Sequence, residues 1–142
     1  PAPRAPPPRA PAPAFGSQRW SPDIRQAFSD SLDTLEEETA VLKEAAGNNP
    51  REHLAELVEM HRRVTIRTAL HWEKRSHCVP NPPRQVFDEG VALARRLADL
   101  AGPEEGRPAL GRALTDRSML LVAAGEYGEA HDDFVEATAL LD

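Results

Sequence analysis

Gly47-Asn48-Asn49-Pro50 is the stretch that most limits what this chain can fold into. It stops one helix and starts the next. Gly47 suits the position just past a last helical turn, where the left-handed backbone favours glycine. Asn48 and Asn49 make the turn. Asn49 also caps the second helix, Pro50 fits its first position, and Glu52 lies where a capping box needs an acid. On either side the apolar residues keep a helical period. Ile24, Phe28, Leu32, Leu35 and Leu42 recur before the turn, after a start at Ser21-Pro22. Leu54, Leu57, Val58, His61, Val64, Thr65, Thr68, His71 and Trp72 form one stripe after it, running to about His77. A turn this short makes the two helices antiparallel, so residues 21–77 are predicted to form a helical hairpin.

The same punctuation recurs. "VPNPP" breaks the chain after the hairpin. A third helix is expected from about Pro83 to Ala101, with Val86, Phe87, Val91, Ala94, Leu97 and Leu100 inward, and Gly102-Pro103 ends it. A fourth spans roughly Glu104 to Ala124 and a fifth Tyr127 to Leu141. No stretch alternates as a strand would, so the predicted class is all-α: about five helices in antiparallel hairpins. The 142 residues suit one domain. Seven of the fourteen prolines fall in the first thirteen residues, which lack large apolar side chains and cannot offset the entropy of ordering. Residues 1–20 are therefore expected to be a disordered Pro/Ala-rich linker, and 21–142 the helical domain. The missing initiator Met points to a piece of a larger multidomain protein.

Charge narrows the function. From Phe15 onward 15 basic and 23 acidic residues leave the folded part near −8, which argues against general affinity for nucleic acid or anionic membrane. No apolar run approaches the ~20 residues of a membrane helix, and no signal peptide is visible. The single cysteine, Cys78, rules out an internal disulfide. A cytoplasmic protein is expected. The abundance of Arg and Ala suggests a GC-rich genome.

"VFDEGVALA" (86–94) and "DFVEATALL" (133–141) align with Phe87 on Phe134, Glu89 on Glu136, Ala92 on Ala139 and Leu93 on Leu140. The common offset of 47 residues suggests a repeat. The closing stretch "AGEYGEAHDDFVEATALLD" resembles the second half of a tetratricopeptide repeat. Gly125 and Tyr127 stand at the inter-helix turn, Ala130 and Ala137 at the small positions, and Phe134 at the aromatic one. Small residues let paired helices approach closely while the aromatic fills the gap toward the neighbour. The wider stretch from Gly90 onward is similar to bacterial arrays of the kinesin-light-chain type. The resemblance covers about the last sixty residues. Arg117 stands where the family has a large apolar residue, the offset exceeds the family's usual ~34 residues, and 21–77 carries no family motif. The resemblance implies TPR-like helix pairs, buried Phe134 and Ala130, and an inner surface lined by the first helix of each pair.

No chemistry-bearing constellation stands out. His71 and Cys78 lie seven apart, ~10 Å along a helix axis and too far for one ion. His53, His61 and His71 drift around the helix, and the adjacent pair His77-Cys78 diverges, so no metal or other cofactor is expected. Glu36-Glu37-Glu38 and Asp132-Asp133 fan outward and read as solvated faces rather than acid-base pairs. There is no nucleophile elbow, phosphate cradle or Cys-His motif, so no catalytic residue is assigned and an enzyme is not expected. In "HRRVTIRTALHWEKR", Arg63, Arg67 and Lys74 share a face near Trp72, as in a nucleic-acid stripe. The acidic helix before it, with six acids against one Lys between Asp30 and Glu44, accounts for much of that charge internally. An acidic peptide fits the face better than nucleic acid.

The function these features support is a non-catalytic protein-interaction module, a scaffold or adaptor. Arg112, Thr115 and Met119 of the fourth helix are predicted to line the partner-binding face, with Thr65, Thr68 and Trp72 of the second. Two other readings stay open: a regulatory or sensor domain that binds a ligand in a helical groove, and an oligomerisation hairpin of coiled-coil type. The fifth helix is apolar over more than one face. It is expected either to pair two copies as a homodimer or to be covered by the chain's own N-terminal hairpin.

Overall fold

A computed structural model describes residues 32–75 and 81–141. Among the described residues there are five helices and no strand, an all-α fold: α1 (Leu32–Asn48), α2 (Pro50–Arg75), α3 (Arg84–Ala101), α4 (Pro103–Ala123) and α5 (Tyr127–Leu141). The expected linker, the start of the first helix and the pair His77-Cys78 lie outside the described residues.

The turns keep their expected places with one correction: the first helix runs through Gly47 to Asn48, and among the described glycines only Gly102 and Gly125 have a positive φ, so the chain turns at Asn49 and not at a glycine stop. Asn49 alone separates α1 from α2. Its backbone N–H donates to the Ala45 carbonyl at 2.8 Å, and its side-chain amide donates to the Glu52 carboxylate at 2.9 Å. The acid three residues on clasps the cap through its side chain. Between α3 and α4 the chain turns at Gly102, whose φ of 86° would strain any residue with a Cβ. Four residues later Gly106 lies so close to Ala98 that a Cβ there would collide with the α3 backbone. That contact lets α3 and α4 cross with almost no space between them.

Each helix packs chiefly on its neighbours in the chain, and α2 also meets α4. The main core joins Leu54, Leu57 and Val58 of α2, Val91, Ala94 and Leu97 of α3, and Ala109, Leu110 and Leu114 of α4. A smaller cluster holds Ala69, Phe87 and Leu120, with Trp72 and Val86 against it. Burying each large side chain contributes roughly 1.5–3 kcal/mol. The inward residues expected for α3 are buried or half-buried, as is the whole predicted stripe of α2.

Ion pairs tie helices two apart. Lys43 of α1 meets Glu89 of α3, Glu59 and Arg62 of α2 meet Arg112 and Asp116 of α4, and Arg84 and Arg95 of α3 meet Glu129 and Glu136 of α5. Apolar packing holds neighbours in the chain, and charge across the surface ties alternate helices as well. Glu89 and Glu136, matched in the sequence alignment, each reach the helix two positions earlier.

Two expectations are corrected here. Phe134 is not core: it is 58% exposed, because α5 turns Ala130, Asp133 and Ala137 toward α4 and leaves the adjoining stripe uncovered. Asp133 does not face solvent with Asp132. It is buried, and it accepts from the Arg117 Nε at 2.7 Å and Nη2 at 2.8 Å. Arg117 also donates to Asp88 at 3.1 Å. The residue that departs from the repeat pattern thus links α3, α4 and α5 by charge, where an apolar side chain would have joined them by packing.

Candidate protein interface between α2 and α4

α2 and α4 flank a polar-rimmed cleft. On α4 the stripe Ala109, Arg112, Ala113 and Asp116 faces it, at spacings of three, four and seven. On α2 the cleft is lined by Val58, Glu59, His61, Arg62 and Thr65, and Phe87 and Gly90 of α3 close its floor. The small side chains Ala109 and Ala113 let the helices approach, and charge joins them at the rim. Arg62 grips Asp116 with two bonds, Nε to Oδ2 at 2.8 Å and Nη2 to Oδ1 at 3.2 Å. Burial raises the Asp116 pKa against the pull of this guanidinium, while the bond to Asp116 raises that of Arg62. Arg112 donates to Glu59 at 3.1 Å in a more open pair.

The floor holds a buried histidine. His61 is 3% exposed, and its ring rests on Gly90, where a Cβ would come within 3.3 Å of Nδ1. The Thr65 hydroxyl donates to the His61 carbonyl at 2.9 Å, and its oxygen lies 3.2 Å from Nδ1. Nε2 faces the Glu89 carboxylate at 3.5 Å with no hydrogen-bond partner among the described residues. Burial lowers the His61 pKa, opposed by attraction to Glu89, with Lys43 behind it adding to the lowering. The enclosed space is about 20 Å³, room for one water, against roughly 300–1,000 Å³ for a small-molecule site.

Of the six predicted interface residues, Arg112 and Thr65 come together in this cleft. Thr65 is buried and shapes the floor. Thr115 and Met119 are half-buried on the flank of the α4 stripe, and Thr115 bonds its own helix at the Gly111 carbonyl. Thr68 bonds the Val64 carbonyl, and Trp72 packs on the Ala69–Phe87–Leu120 cluster beyond the cleft. Arg62, Glu59 and Asp116 were missed. The available signal was an acid on the same stripe of α4 as Arg112, seven residues after Ala109.

The basic stripe of α2 does not survive folding. Arg63 and Lys74 are exposed, but Arg67 is 2% exposed, with Nη2 3.2 Å from His71 Nε2. Arg67 packs inward because it lies on the buried side of α2 with Val64 and Leu70. Among the described residues no group of His, Cys, Asp and Glu comes together to hold a metal ion, and no helix is long and apolar enough to cross a membrane. Comparison with protein-family models, curated proteins and solved structures finds no match to this chain.

Proposed function

We propose that this chain is a non-catalytic, cytoplasmic protein-interaction module, a scaffold or adaptor built from TPR-like helix pairs, which receives a partner peptide on the α2–α4 face. The observation that carries the reading is the matched pair of bridges, Glu89 to α1 and Glu136 to α3, at one register of the two aligned helices. They support two stacked units, α2–α3 and α4–α5, whose first helices lie side by side. Arg112 is the anchor of choice for an acidic partner. Its pair with Glu59 is half-exposed, and such pairs contribute only ~0–1 kcal/mol, so a partner carboxylate can take Glu59's place at little cost. Thr115 and Met119 flank that anchor. Proteins co-purified with the chain identify the partner, and binding of the purified partner to Arg112→Glu tests the face. Affinity should fall about tenfold or more. Unchanged affinity overturns the assignment.

A second reading has its own observation. Tyr127, Phe134 and Leu141 are 68%, 58% and 54% exposed and lie two turns apart on one stripe of α5. This supports self-association through that stripe. Light scattering should show a dimer that Phe134→Glu or Leu141→Glu dissolves. A monomer at high concentration would sink it.

A further inference from the structure

The α1–α2 hairpin has two sides. One packs on α3, where Lys43 reaches Glu89. On the other an open groove of about 410 Å³ runs between the helices, floored by Val41, Leu42 and Met60. Val41 is 68% exposed, the joint most exposed large apolar residue described, and it lies nearly opposite Lys43 around α1. Glu37, Glu38 and Glu56 rim this floor.

Like Asp33, Asp99, Glu104 and Glu105 elsewhere on the surface, these three carboxylates form no ion pair among the described residues, and they contrast with the seven that bridge helices. Glu59, Asp88, Glu89, Asp116, Glu129, Asp133 and Glu136 all pair with cations across helices. Glu37, Glu38 and Glu56 have no ion-pair partner among the described residues. Arg63, one turn beyond Met60 on the same face of α2, also forms no ion pair among the described residues. An apolar floor between two helices is the shape that receives a third helix. The thioether of Met60 can adapt to the side chain it meets. A rim of unneutralised carboxylates sets the charge that helix must carry.

We propose that this groove docks a basic amphipathic helix of another protein, its apolar residues on Val41, Leu42 and Met60 and its Lys or Arg side chains on Glu37, Glu38 and Glu56. The surface is separate from the α2–α4 face and recognises the opposite charge. The two can therefore be tested independently.

The probe is a fluorescent amphipathic Leu/Lys helix of about 18 residues, roughly five turns, titrated into the full chain by anisotropy at low and physiological salt. Binding is expected, weaker at the higher salt. The double variant Glu37→Gln/Glu56→Gln and the variant Val41→Ser should each lower affinity about tenfold. All three positions are exposed, so the helical circular dichroism should be unchanged. Glu104→Gln/Glu105→Gln, the same charge change on the first turn of α4, and Arg112→Glu should leave affinity within about twofold. No binding, equal binding of a scrambled peptide of the same composition, or indifference to the groove variants each overturns the proposal. So does higher affinity when Arg4, Arg9 and Arg19 are changed to Gln, which would make the N-terminal residues the occupant. A dimer that Val41→Ser dissolves would assign the groove to a second copy.

Discussion

α3 and α5 align in sequence and have different fates. On α3 the stripe Phe87, Val91 and Ala94 is 2%, 4% and 0% exposed, beneath α2 and α4. The matching residues on α5 are Phe134, Thr138 and Leu141, and all three are exposed. Both helices bury the adjoining side against the helix before them, His61 on Gly90 in one and Arg117 on Asp133 in the other. Only α3 also has α4 after it. Similar residues therefore give the same helix and the same bridging glutamate, while burial of the aromatic follows from having a neighbour on each side.

The sharpest test is truncation of the two aromatics. Phe87→Ala should cost about 3–5 kcal/mol in chemical denaturation, because it opens a cavity between three helices. Phe134→Ala should cost under about 1 kcal/mol. Equal costs would mean that α5 is covered in solution and would break the comparison.

The next contrast lies in the charges. Arg117→Ala strands buried Asp133 and should cost about 2–3 kcal/mol, toward the low end for a broken buried pair because Arg117 keeps some exposure. Arg95→Ala, which frees the exposed Glu136, should cost under about 1 kcal/mol. A double-mutant cycle with Asp133→Ala checks whether the first loss belongs to the pair.

A smaller effect should appear with pH, through His61 of α2, whose ring rests on α3. His61, beside Glu89 and Lys43, has a folded pKa below its ordinary 6.5 because burial disfavours the imidazolium. Its contribution is present above about pH 6.5 and is lost as pH falls, since the unfolded chain takes up the proton first. Denaturation midpoints at pH 7.5 and 5.5 should differ more in the parent than in His61→Gln. An equal slope in both would assign the dependence to other groups.

The smallest change sharpens the contrast at glycine. A Cβ at Gly128 of α5 meets nothing within 4 Å, so Gly128→Ala should stabilise by roughly 0.5–1 kcal/mol. At Gly90 of α3 the Cβ meets the confined His61 ring at 3.3 Å, so Gly90→Ala should gain less. Thermal melts of the two variants compare them directly.

Helix spans were legible in the residues, because caps, glycine stops and the 3.6-residue period act within a few positions of each other. Asn49, Pro50, Gly102 and Gly125 mark turns in the structure as they do in the sequence. The candidate interface was half legible. Arg112 and Thr65 meet in the cleft, while Arg62, Asp116 and Glu59 went unrecognised because a cross-helix pair joins residues more than fifty positions apart. Arg67 looked like one of a basic set with Arg63 and Lys74, and its burial required α2's neighbours to be in place.

The sequence by itself determined the all-α class, the extents of α2 to α5 within a residue or two, the hairpin turn at Asn49 and the inward stripes of α2 and α3. These depend on backbone propensity and on a period that any single helix displays. Tertiary structure alone decided that Phe134, unlike Phe87, is surface, that Arg117 binds Asp133 and Asp88, and that Glu37, Glu38 and Glu56 remain unpaired among the described residues around an open groove. Burial and charge pairing depend on what lies across a helix face, and local periodicity carries no record of that neighbour.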